Sequence, residues 1–431
     1  MADTRFNNIH PGLGHQEALR MLLSPLEDLD LESDRYTAAA HLVNFPGEAT
    51  EEALLRCVAD EDPCQAQRIA RRKAVETLAR LGCTRAAPAI ERCLGSSDVY
   101  LVENAAWALG ELGSDNPELQ ARLIALLDDP TQSRRIIVQV LAKQKCTESL
   151  AAIAKLRDHD DGMLATVAIR AHACLSGDRA RLADLEEFLF HPDVNVRRGV
   201  IQDLMDADAQ DLIEAIGRAP VSPAFRLRGI RHLADRRAED RESLLPLVDR
   251  QFKDHPSTLQ LVHAYDQPPA LEFLVRELYG TDYGRTYLAI DTLERDHGPE
   301  AIPALVQSFE SEGWNDYGAH YHLMHLFGRL GDPVVLPLVR DGLSNRRPQF
   351  QKSRPAAALA LAELAPDESV GTLSELATEA PSWELRYASL MGLESIGGSI
   401  PVGGLGDHDW MVQLKARQAA AQPAGSQGRG G

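Results

Sequence analysis

Side chains able to bind or catalyse recur along this chain at spacings of three and four residues. The sets are Tyr100, Glu103, Asn104 and Trp107; Arg197, Arg198 and Asp203; Tyr283, Tyr287 and Asp291; Asp316, Tyr317, His320 and Tyr321; and Trp383, Arg386 and Tyr387. On an α-helix such spacings put most members of a set on one face. Aromatic residues are only 5% of the chain, so gathering them on one surface implies a binding groove. Each set also has a plainer use. Trp107 and Tyr387 can fill a core, while Arg197 and Arg386 stand where stacked helical repeats set an arginine against the preceding repeat's aspartate. The Tyr283, Tyr287, Asp291 ladder and the cluster from Asp316 to Tyr321 bring several polar tips together, which core packing alone does not ask for.

Other chemistries are not written here. The chain has no GxxxxGK(S/T) phosphate loop, no HExxH and no GxSxG elbow, and Gly12-Leu13-Gly14 lacks the third glycine of a dinucleotide fingerprint. His320, His322 and His325 invite a metal reading, since His322 and His325 share a helix face. Zinc, however, wants acids or thiolates to complete a tetrahedron, and none stands at a fitting spacing, so no metal site is expected. The six cysteines form no CxxC pair and read as reduced thiols in a cytoplasm-like compartment. Cys146, at the start of a helix, is the best placed of them for thiolate character.

The elements that would carry these residues announce themselves by repetition. The stretch DVYLVENAAWALGELG, Asp98 to Gly113, has its grammar echoed at Gln65–Gly82, Asp193–Asp206, Trp314–Gly331 and Ser382–Gly397. Spacings of about 31 and 33 residues between terminal glycines fall in the ~20–50 range of repeat arrays. In Asp98–Gly113 the apolar residues Leu101, Ala105, Ala108, Leu109 and Leu112 make one buried stripe. Small residues let a neighbouring helix approach, Gly113 suits a left-handed cap, and Pro88, Pro117, Pro303 and Pro333 suit helix starts. Strand signals are nearly absent. The expected fold is all-α, an α-α superhelix or solenoid of helical hairpin repeats over residues 34–400. Residues 1–33 read as an N-terminal extension and 401–431 as a Gly-rich, largely disordered tail. Prolines between Pro220 and Pro269 suggest a bend, with no domain boundary.

The formal charge of −19 disfavours nucleic acid, whose binding rests on Lys and Arg displacing counterions. No apolar run approaches the ~20 residues of a membrane-spanning helix, and the N-terminus lacks a charged-then-apolar leader. A cytoplasmic protein, not inserted in a membrane, is expected.

The segments Asp98–Gly113, with its AAWALGELG ending, and Asp34–Gly47 (DRYTAAAHLVNFPG), together with WNDYG at Trp314–Gly318, resemble the HEAT-repeat phycobilin lyases of the E/F type. The likeness spans about Ser33 to Gly398 and is nearest to the branch acting on phycoerythrin α subunits. It implies a lyase that joins phycoerythrobilin by a thioether to a cysteine of the apo-phycoerythrin α subunit, in some members with isomerisation to phycourobilin. The bilin is substrate, and no cofactor is implied. The two bilin propionates suit Arg198, Arg228 and His232, its pyrrole N–H groups suit Asp291 or Asp316, and Trp107, Tyr283, Tyr287 and Tyr321 would hold the conjugated plane. Glu103 and Asn104 line the same expected groove. Asp316 and Tyr317 are assigned as acid/base pair with His320 as orienter. The rival readings are a non-catalytic HEAT scaffold or chaperone for phycobiliprotein assembly, and an enzyme that cleaves existing thioethers.

Overall fold

The computed structural model describes residues 12–114, 116–237 and 240–421, and every regular element among them is a helix. The helices form hairpins because each second helix is apolar along one stripe and must bury it against its partner and against the next repeat. The chain divides into two compact units between Leu182 and Ala183. This corrects the expectation of one domain over 34–400. The helix-free stretch in the Pro-rich region, residues 259–270, lies inside the second unit.

In the first unit the helices Asp34–His41, Gln65–Arg80, Val99–Leu112, Arg134–Lys143 and Gly162–Ser176 each pack on the next. Leu78, Ala105, Leu109, Leu141 and Ala168 form the continuous core. The alanine-rich pattern has a steric reason: a Cβ on Gly110 would lie 2.9 Å from Val140 Cγ2. The expected N-terminal extension belongs to this unit, since helix His15–Leu23 buries Ala18 and Leu22.

In the second unit the helices Tyr317–Leu330, Ser353–Leu364, Trp383–Ser395 and Trp410–Ala421 stack in sequence, as do Val194–Asp206 and Pro223–Asp235. A Cβ on Gly328 would meet Ala360 Cα at 2.8 Å, so the first two of these helices touch backbone to backbone. The tail expectation is corrected here. Residues Val402–Leu405 and Trp410–Ala421 are helical, and residues 422–431 lie outside the described residues. The last helix is also tied to residues far back in the chain. Lys415, 1% exposed, bridges Asp249 at 2.8 Å and Glu394 at 2.6 Å; Trp410 Nε1 donates to Asp235 at 2.7 Å; and Arg231 pairs with Asp409 at 2.6 Å. These bonds close the unit upon itself.

Several helices start in the same way in both units. Asp98, Asp161, Asp193, Asp282 and Asp316 each stand at the N-cap of a second helix, and each carboxylate accepts a backbone N–H of the first turn. Two of these capping aspartates, and one loop aspartate, also take arginines. Arg72 binds Asp98 at 2.7 Å, Arg197 pairs with Asp282, and Arg386 holds Asp407 at 2.6 Å. All three partners lie later in the chain, so the expected pairing of Arg197 and Arg386 with a preceding aspartate is reversed.

Candidate functional site

The second unit holds a cleft of about 670 Å³, inside the ~300–1,000 Å³ range of small-molecule sites. Five helices supply most of it. Leu227, Arg228, Arg231 and His232 come from Pro223–Asp235, Phe252 from Leu245–Lys253, Tyr321 and His325 from Tyr317–Leu330, Pro355 and Ala356 from Ser353–Leu364, and Trp383 and Glu384 from Trp383–Ser395. Lys352 enters from the residue capping the fourth of these. The lining is apolar and aromatic with a few charged tips. Trp383 meets Phe252 edge-on at 5.7 Å, and the Arg231 guanidinium lies 4.6 Å over the Trp383 ring, which fixes both planes.

Lys352 brings an amino group into the cleft. Its Nζ donates to the Tyr283 hydroxyl at 2.9 Å and sits 4.8 Å over Tyr317, 5.4 Å over Tyr321 and 5.6 Å over Tyr283. Among the described residues it makes no ion pair, and burial pulls its pKa below the usual lysine value. A cation held by phenol faces and one hydroxyl still has hydrogen-bonding capacity to give.

Behind the cleft wall lies a buried network centred on Asp254. This residue occupies the left-handed C-cap of Leu245–Lys253, with φ of 44°, and its carboxylate turns inward. It pairs with Arg226, accepts from Tyr287 at 2.9 Å to either oxygen, and accepts from Tyr321 at 2.7 Å. Arg226 is satisfied further by Gln251 at 2.7 Å and the Val221 carbonyl at 2.8 Å. Burial opposes the Asp254 charge, but Arg226 overrides it and holds the carboxyl below its ordinary pKa. Burial also raises the Tyr287 and Tyr321 phenols well above theirs. Tyr321 spends its proton on Asp254, so the His325 Nε2 atom 3.0 Å from its oxygen is the donor of that bond. His325 is therefore a neutral Nε2–H tautomer, in keeping with burial pushing its pKa down to about 3.

The structure sorts the residues singled out in the sequence. Arg228, His232 and Tyr321 line the cleft; Tyr283 and Tyr317 touch it through Lys352. Tyr287 is fully buried against Asp254, so it supports the wall and offers no ring face to a ligand. Arg198 bonds the Thr281 carbonyl at 2.5 Å and lies over Phe225, outside the lining. Asp291 pairs with Arg295 beside Glu294 and Pro299, in a separate depression. Asp316 is a cap: its Oδ1 accepts from Gly318 N at 2.8 Å and Ala319 N at 2.7 Å. His320 corrects its expected role, for it is wedged between Phe309 at 5.4 Å and Phe350 at 4.7 Å and orients neither Asp316 nor Tyr317. The three clustered histidines point to different neighbours, His322 packing on Tyr283 at 4.8 Å, and among the described residues no three His, Cys, Asp or Glu side chains group around a metal position. Glu103, Asn104 and Trp107 lie in the first unit, half-buried on Val99–Leu112, with Arg80 over the Trp107 ring at 5.7 Å.

Sequence reasoning missed Lys352, Phe252, Glu384 and the Asp254 centre. A usable signal existed for Lys352: it is one of few lysines in an acidic chain and stands at the N-cap of the alanine- and leucine-rich helix Ser353–Leu364.

Comparisons with known proteins bear on the same residues. A family model described as HEAT repeats matches residues 65–142. Phycocyanin operon protein Y of Pseudanabaena tenuis is 41% identical over 92% of this chain and 94% of its own length. Bilin biosynthesis protein CpeY of a Synechococcus species is 38% identical over 85% of this chain and 90% of its own. The solved complex of CpcE and CpcF of phycocyanin lyase from Nostoc sp. PCC7120 matches at 26% identity and a TM-score of 0.48, covering 56% of this chain and 96% of that one. Two relatives matched over nearly their whole lengths carry the conclusion: the chain belongs to the family of bilin biosynthesis protein CpeY, the HEAT-repeat phycobilin lyases of the E/F type.

Proposed function

We propose that this protein is a phycobilin lyase that seats an open-chain tetrapyrrole in the cleft of its second unit and joins it to a cysteine of a phycobiliprotein, with phycoerythrobilin as pigment and the phycoerythrin α subunit as acceptor. The observation that carries the reading is the pairing, in one 670 Å³ cleft, of an aromatic lining with Lys352 and Arg228. A bilin is a long conjugated body with two propionates. Lys352 and the Arg228–Arg231–His232 face give those carboxylates charge-assisted partners, while Trp383 and Phe252 flank the ring plane. In this reading the protein works in the cytoplasm, where acceptor thiols stay reduced.

The reaction is addition of S–H across the exocyclic double bond of ring A. The thiolate forms a bond to the ethylidene carbon, the π bond is consumed, and a proton is delivered to the tetrapyrrole, so no oxidant is required. Isomerisation to phycourobilin adds one further proton removal and delivery, and the product spectrum distinguishes the two outcomes.

Titrating the purified protein into phycoerythrobilin tests the reading: a red-shifted, sharpened absorption band is expected. No spectral change, together with tight binding of the apo-subunit, would favour a scaffold. In the same titration Lys352→Met weakens bilin binding by at least ~10-fold, about 1.4 kcal/mol, because it removes the charge and keeps the stem.

Four of the protein's own six cysteines are poor carriers. Cys57, Cys83, Cys93 and Cys146 are buried, and burial raises their thiol pKa values, Cys57 to about 11. The favoured place of Cys146 is thereby corrected: it precedes a 3-10 turn, Thr147–Ser149, that runs into a helix of only five residues, Leu150–Ala154, and Glu148 beside it further disfavours the thiolate. Cys146→Ser is expected to leave pigment transfer unchanged, with no bilin found on the lyase after denaturation.

A further inference from the structure

One carboxyl in the cleft has no structural employment. Glu384 sits in the first turn of Trp383–Ser395, beside the tryptophan that flanks the cleft, and lines the cavity. Two arginines stand near it, and both are engaged by other acids. Arg386, on its own helix, donates from Nε and Nη2 to Asp407, at 2.6 and 3.0 Å, and from Nη1 to the Ala380 carbonyl at 2.8 Å. Arg231, on Pro223–Asp235, is held by Asp409 at 2.6 Å and stacked on Trp383. Asp407 and Asp409 therefore neutralise the cations that would otherwise bind Glu384. Among the described residues no side chain hydrogen-bonds it, and its own backbone N–H is its one polar contact.

We propose that Glu384 is the proton donor of the cleft, giving its carboxyl proton to the tetrapyrrole as the acceptor thiolate adds to ring A. The step balances: the S–C bond forms, the ring A exocyclic π electrons take the proton from the Glu384 carboxyl, and the carboxylate regains a proton equivalent to the one the thiol released. The environment keeps that proton available. Burial raises the Glu384 pKa above its ordinary value, Arg231 and Arg386 pull against the rise, and Asp409 adds to it. The remaining charged or titratable groups lining the cleft are Arg228, His232, Asp235, Tyr321, His325 and Lys352. A carboxyl shielded from its nearby arginines, against an aromatic wall, has the environment in which carboxylic acids serve as proton donors.

The proposal rests on the bilin-lyase reading, and the test separates the two. Single-turnover attachment of phycoerythrobilin to the apo-α subunit is followed across pH for wild type, Glu384→Gln and Glu384→Asp, with bilin affinity measured by absorbance on each. Glu384→Gln is expected to bind bilin within about 3-fold of wild type, to attach it at least ~100-fold more slowly, and to lose the fall in rate that wild type shows as the carboxyl deprotonates with rising pH. Glu384→Asp restores part of the rate and restores that limb. A Gln variant that binds bilin and keeps both wild-type rate and pH limb overturns the assignment. So does one whose rate falls only as far as its affinity, with the limb intact. If wild-type protein itself fails to bind bilin, the lyase reading is what fails.

Discussion

Asp254→Ala destabilises the second unit by about 3–5 kcal/mol, the usual cost of leaving one member of a buried ion pair without the other. Arg226 is 0% exposed and keeps its charge, burial being overcome by the Asp254, Tyr287 and Tyr321 oxygens around it. With Asp254 gone, the guanidinium loses its counter-ion, and the Tyr287 and Tyr321 hydroxyls lose the acceptor that both now share. Urea unfolding measures the effect, and a midpoint matching wild type would contradict it. Combining Asp254→Leu with Arg226→Met removes both charges and should recover much of the loss. The single variant also weakens bilin binding, because Tyr321 and His325 line the cleft and owe their orientation to Asp254.

Ala224→Trp has the opposite character, leaving the fold alone and removing the site. Ala224 lines the cleft, stands in the first turn of Pro223–Asp235 and is exposed, so substitution there costs no more than about 0.5 kcal/mol of stability. An indole projecting into 670 Å³ takes the space a tetrapyrrole plane needs. Bilin affinity is expected to fall at least ~100-fold, about 2.7 kcal/mol, with an unchanged helical circular dichroism melt. Undiminished binding in this variant would place the pigment elsewhere.

How far the sequence could be read depends on the range of the interactions involved. The hairpin grammar of Asp98–Gly113 is local, a matter of stripe, cap and small residues, and it transfers to the other repeats. The same locality bears on Asp316. At one repeat it looks like a catalytic carboxylate beside a tyrosine; set beside Asp98, Asp161, Asp193 and Asp282 it is the recurring N-cap. Tyr287 and Tyr321 share a helical spacing pattern with their neighbours, yet only Tyr321 reaches the lining, because the direction of a buried phenol is set by Asp254, 33 and 67 residues away. The tail was misjudged for the same reason. Gly-rich composition near Pro401 hides Asp409, Trp410 and Lys415, whose partners Arg231, Asp235 and Asp249 lie 166 to 178 residues back. Lys352 and Glu384 escaped because each belongs to no repeating set, and only the closing of the second unit brings them to one cavity.

In the proposed reading the cleft of the second unit holds a bilin and passes it to a thiol. The most direct measurement combines purified protein, phycoerythrobilin and apo-phycoerythrin α subunit, denatures the mixture in acidic urea, and reads visible absorbance on the separated acceptor chain. Wild type should leave pigment bound through a thioether that survives denaturation, and Ala224→Trp should leave the acceptor colourless beyond the spontaneous background. Equal colour with wild type, with Ala224→Trp and with no protein added would contradict the account.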